Sequence, residues 1–166
     1  MKKITFIFSP ILLILLIVAS ERFSVGPFNP GTVTGTVLDS ATNLVWERCS
    51  RGQTSAADCA EAATTTDWET ALTYCDGLTV GTLSDWRLPT IKELGTIVNY
   101  NFETPAIETA LFPNTPSGLY WSSTTNPSDT SPGGRDKAMH IDFNEGGLED
   151  SAKTATTLYV RCVTGP

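Results

Sequence analysis

The stretch that decides the fold is Thr66-Asp67-Trp68-Glu69-Thr70-Ala71-Leu72-Thr73-Tyr74-Cys75 (TDWETALTYC, 66–75). Thr66-Asp67 offers an N-cap for a helix reaching about Asp76. Trp68, Ala71, Leu72 and Cys75 fall at i, i+3, i+4 and i+7, which is one apolar face. Cys75 therefore points toward a core.

Near the end of the chain, Leu158-Tyr159-Val160-Arg161-Cys162-Val163 alternates as a strand and sets Leu158, Val160 and Cys162 on one face. If Cys75 and Cys162 both face inward, they can pair. That bridge would close a loop of 87 residues and leave Cys49 with Cys59. Four cysteines allow three connectivities, and none has C-x-x-C spacing, which argues for disulfides over zinc.

Between these segments the pattern changes from polar to periodic. Thr32 to Asp39 and Leu44 to Glu47 predict a hairpin, with Thr32–Asp39 an edge strand. Thr90 and Glu93 have capping-box spacing ahead of a second helix with Ile91, Leu94, Ile97 and Val98 on its buried stripe. Thr104 to Pro113 predicts a further helical turn. Leu119–Ser123 and Met139–Phe143 read as strands, with Met139, Ile141 and Phe143 inward and His140 on the outer face. Strands, then helices, then strands predict an α+β fold with a small antiparallel sheet, two main helices and long polar loops. The loops are 124–137 and 144–157, and loops of that length in one domain are uncommon unless they work.

The chain of 166 residues suits one domain. Residues 1–20 read as a signal peptide: Lys2 and Lys3, an apolar run from Ile4 to Val18, then small residues. An uncleaved anchor is the alternative. Residues 21–31 read as a linker and 32–166 as the domain. Removing Lys2 and Lys3 takes the formal charge from −7 to −9, which excludes nucleic acid as a partner. Membrane contact is expected only if the N-terminal segment is retained. The expected location is outside the cytoplasm: periplasm, cell surface or medium.

The chemistry of a catalyst is thin. The single histidine, His140, reads as a surface residue, and no G-x-S-x-G elbow accompanies it. A glycosidase pair among the carboxylates would need a fixed separation that sequence does not give. No cofactor is expected. Calcium is the one candidate, from Asp142, Asn144 and Glu145 with Glu149 and Asp150 nearby, but the twelfth position of this D-x-N-x-G start is Lys153 where a calcium loop has Glu.

Several motifs in one order carry a resemblance: Gly35-Thr36-Val37-Leu38-Asp39…Leu44-Val45-Trp46, Trp68…Tyr74-Cys75, Asp85-Trp86-Arg87-Leu88-Pro89-Thr90, Tyr120-Trp121-Ser122-Ser123 and Tyr159-Val160-Arg161-Cys162-Val163. The chain resembles the Lcl C-terminal domain family, the C-terminal domain of bacterial collagen-like adhesins, over about 32–164. The resemblance implies a C-type-lectin-like fold shared with formylglycine-generating enzymes. It also implies a bridge from the first helix to the final strand, in agreement with Cys75–Cys162. There is no Gly-X-Y repeat in this sequence, so the stalk-driven trimer of those adhesins is not expected here.

These readings converge on an exported, non-enzymatic module that binds a glycan or a protein. The expected contacts are Asn126, Asp129, Arg135, Asp136 and Lys137 on one loop, and Asn144, Glu145, Asp150 and Lys153 on the other. An enzyme of formylglycine-generating or glycosidase type is the alternative, and a structural envelope protein the second alternative.

Overall fold

Two antiparallel sheets pack around the closing segment of the chain in the computed structural model, which describes residues 22–26, 35–54, 58–130, 132 and 135–166. Residues 1–20, expected as a signal peptide, lie outside the described residues. The first sheet has the order β1-β2-β3-β7, from Phe23–Val25, Thr36–Asp39, Leu44–Glu47 and Val163–Thr164. The second is a meander of β4 (Leu119–Thr125), β5 (Lys137–Asp142) and β6 (Gly147–Ala152). The helices are α1 (Trp68–Asp76) and α2 (Ile91–Gly95). The architecture is α+β, as expected, with two small sheets in place of one.

Both helices start as their sequences dictate. The Asp67 carboxylate accepts from Thr70 N at 2.9 Å, and those hydrogen bonds from Thr70 hold its pKa below the usual range. Ala71 and Cys75 of α1 are buried. Thr90 and Glu93 form the full capping box of α2. Glu93 also takes two hydrogen bonds of 2.8 Å from Arg87, so Arg87 pairs with Glu93.

Two apolar clusters flank the second sheet. On one side Tyr120, Ile141 and Phe143 pack with Trp46, Leu94 and Ile107. On the other, Trp121 and Ala138 pack with Ala71, Trp86, Val160 and the Cys75–Cys162 bridge. Consecutive residues Tyr120 and Trp121 thus serve opposite layers, the period-two rule of a strand covered on both faces. The second disulfide is Cys49–Cys59.

Several expectations need correction. The 21–31 stretch is not all linker: Phe23–Val25 pairs with β2, and Arg22 grips Asp39 with two hydrogen bonds of 2.8 and 2.6 Å. Residues 27–31 lie outside the described residues. With β1 on its flank, β2 is internal rather than an edge. The 104–113 stretch forms bends and turns, not a helical turn, with a cis Thr104–Pro105 bond. Residues 158–163 form no continuous strand; Leu158 and Tyr159 make single bridges to Thr66 and Tyr120, and Val163, where β7 begins, bridges Arg87. Alternation survives in an extended chain that changes partners residue by residue, so pattern alone overstates the strand. Finally, the 144–157 stretch is divided and not one long loop: Gly146, at φ +82°, closes a tight β5–β6 turn, Gly147–Ala152 is β6, and only 153–157 follows as loop.

Candidate functional site

The predicted contacts fall at two separate ends of the second sheet. Asn126 Nδ2 donates to Asp150 Oδ2 at 2.6 Å, and Lys137 Nζ lies 2.9 Å from Asp150 Oδ1. The Lys137 hydrogen bond holds the Asp150 carboxyl below its ordinary range and raises the lysine in return. Asp129 accepts from the backbone N–H groups of Asp136 and Lys137 at 2.8 and 3.0 Å. Lys153 N donates to Asp136 O, which joins the end of β6 to this cluster. Arg135 and Asp136 are exposed beside it.

Asn144 and Glu145 sit at the other end, in the β5–β6 turn. The expectation that both loops meet is therefore wrong for these two residues. Successive turns of a meander lie at opposite ends of its strands, so adjacency in sequence order separates them. Asn144 Oδ1 accepts from Ser117 Oγ at 3.0 Å, while Asp142 Oδ1 accepts from Asn144 N at 2.8 Å. Those bonds shape a turn. Among the described residues, no three His, Cys, Asp or Glu side chains converge as a metal-holding group.

His140 is not a surface residue. It is 1% exposed, because α1 and the closing segment cover the face that the alternation argument assigned to solvent. The Trp121 ring stands edge-on to it at 6.2 Å. Neither ring nitrogen has a hydrogen-bond partner among the described residues, and Glu149 Oε2 lies 3.7 Å from Nε2. Burial pushes its pKa below the usual value, against the pull of Glu149, Asp142 and Asp150.

Lys153 leads to a larger feature. Its ammonium lies 4.1 Å over the Trp68 ring and donates to Thr125 Oγ1 at 3.0 Å. The indole is fixed in turn by Nε1 donating to Ser122 O at 2.8 Å. Trp68, Thr70 and Tyr74 of α1, with Lys153, Thr154 and Thr156, line an open groove of about 1150 Å³. Arg51 closes one side, its guanidinium 5.5 Å over the Tyr74 ring. A second hollow of about 550 Å³ adjoins it, between α1, Arg87, Thr90 and Ser123. Sequence reading took Trp68 for the core face of α1, and its position at the first helical turn left it half-buried instead.

Beneath the groove lies a buried polar group that the sequence did not reveal. Arg161 is fully buried and donates to Glu47 O, Arg48 O, Ser50 Oγ and Thr115 Oγ1. The Glu47 carboxylate accepts from Tyr74 OH at 2.8 Å and from Cys162 N at 3.1 Å. Desolvation pushes the Glu47 pKa up to about 7, opposed by those hydrogen bonds and by Arg161. All four cysteines are in disulfides.

Two disulfides fit an exported chain, and no helix among the described residues is long and apolar enough to cross a membrane. No curated protein matches the chain at a significant level. The Lcl C-terminal domain family matches residues 35–164, which takes in every strand except β1 and both sides of the groove. The chain belongs to the Lcl C-terminal domain family.

Proposed function

We propose that the domain is an exported, non-enzymatic recognition module of the C-type-lectin-like type that binds a glycan. The contact surface is the groove between α1 and residues 153–156, and the Asn126–Lys137–Asp150 cluster forms its rim. The observation that carries this reading is the pairing of a half-buried aromatic, Trp68, with the Lys153 cation and threonine hydroxyls in one open groove. A pyranose offers an apolar C–H face for the indole and hydroxyls for the polar edges. A sugar stacked on Trp68 takes the place of the Lys153 ammonium, whose three N–H donors then serve the ring hydroxyls. The membership in an adhesin-derived family supports the same reading.

A glycan array probed with the intact domain and with Trp68→Ala tests it. Binding to one glycan group is expected, with at least about a tenfold loss in the variant. An array signal unchanged by Trp68→Ala, or arising only from protein ligands, overturns the proposal.

A further inference from the structure

The two hollows on α1 share Leu72 and Thr73, so they form one groove running from Trp68 to Ser123. We infer that this groove takes an internal stretch of a linear, uncharged polysaccharide, not a single terminal sugar; the inference rests on the glycan reading above.

Size comes first. Together the hollows offer about 1150 and 550 Å³ of space, and both open to solvent. Their common floor follows α1, whose nine residues extend about 13 Å along the helix axis. That path is longer than one sugar ring. A ligand filling only the Trp68 hollow would leave the Arg87 side empty.

Charge comes second. In the first hollow Arg51 and Lys153 face Asp67 and Glu69, so the lining carries no net charge. In the second, both terminal nitrogens of Arg87 are already committed to Glu93 at 2.8 Å, and Asp76 adds a further negative group. A sulfated or uronic-acid chain needs uncompensated cations along its track. This track supplies none beyond those balanced by carboxylates. What it lines up in quantity is hydroxyl oxygens: Thr70, Thr73 and Thr90 donate to Asp67 Oδ2, Glu69 O and Glu93 Oε2 and so present acceptor lone pairs to a ligand, with Ser123 beside them. Those groups match a ligand that is itself a string of hydroxyls.

Rigidity comes third. The second hollow is held by the capping box of α2, by Ser123 N donating to Pro89 O at 2.8 Å, and by Ile91 N donating to Thr124 Oγ1 at 3.0 Å. A preformed wall costs little ordering when a chain binds along it.

Titration calorimetry with uncharged glucan, mannan, galactan and N-acetylglucosamine oligomers of one to six units decides the matter. For one series, affinity is expected to rise about tenfold between dimer and tetramer and to change less than about twofold between low and high salt. Thr73→Trp, on the exposed face of α1, blocks the seam and should hold the tetramer at the dimer's affinity. Ser123→Ala should weaken only the longer oligomers. Trp68-dependent binding that ignores chain length overturns the extended-track inference and leaves the glycan reading standing. Binding confined to anionic polymers with steep salt dependence also overturns the inference. No binding by any series overturns both.

Discussion

The Tyr74 hydroxyl donates to Glu47 Oε1 at 2.8 Å, so one phenol connects the exposed groove on α1 with the buried polar centre of the domain. Its ring carries the Arg51 guanidinium on the groove side, while its hydroxyl reaches the carboxylate that also accepts from Cys162 N. The groove wall is thereby braced from below by the segment carrying the helix-to-terminus disulfide.

That carboxylate makes stability depend on pH. The Glu47 pKa is raised to about 7 in the folded protein by desolvation, against about 4.3 in an unfolded chain. The folded state therefore holds more protons between those values. The Glu47 contribution is fully present below about pH 4 and is lost as pH rises toward 7. Denaturant titration across this range should show the loss in wild type, up to about 4 kcal/mol. Glu47→Gln should flatten it, and a slope unchanged in that variant would refute the assignment.

His140 works in the opposite direction over a neighbouring window. Burial lowers its pKa, so its contribution is present above about pH 6.5 and is lost as pH falls through the folded value. In His140→Gln the acid-side loss should shrink. NMR titration of the ring should place the midpoint below that of an unfolded peptide; a midpoint above it contradicts the burial argument.

The two disulfides should differ in effect. Cys75–Cys162 spans 87 residues and Cys49–Cys59 spans 10. In the chain-entropy account, removing the first costs about 4–5 kcal/mol and removing the second less than about 3. Calorimetry of Cys75→Ala/Cys162→Ala and Cys49→Ala/Cys59→Ala should give melting temperatures in that order. Equal losses would show that loop closure does not set their effects.

Arg161 donates to two carbonyls and two hydroxyls in the interior. Arg161→Ala strands all of these acceptors and should destabilise the fold by about 3–5 kcal/mol. Arg161→Lys should recover only part of the loss, because an ammonium cannot spread its donors as a planar guanidinium does. Full rescue by lysine in a denaturant titration would mean that charge, and not the fork of donors, holds the site.

Local rules made much of this architecture readable in advance. The Asp67 cap, the Thr90–Glu93 box and the strand at Leu119 all follow from spacing over a few residues. The Cys75–Cys162 pair required only that two amphipathic segments face the same core. Misreadings arose where partners were distant. His140 looked exposed because alternation describes two faces and says nothing about whether the second is covered. The 144–157 stretch looked like a loop because its polar residues lie on β6, which packs against the sheet on one edge only. Asn144 and Glu145 were grouped with Asp150 and Lys153 by sequence proximity, although a six-residue strand runs between the turn and the rim. Trp68 and Tyr74 were visible as letters, but the groove between them and Thr154 exists only once α1 is docked.

Residues 158–164 touch Thr66, Tyr120, Arg87 and Val45 in turn, and so lock both sheets and the approach to α1 with one thread. A chain synthesised from its N-terminus lacks this keystone until nearly the whole domain has emerged. The domain is thus kept from setting into shape until its last residues are made, and a version ending at Thr157 should remain open to protease attack.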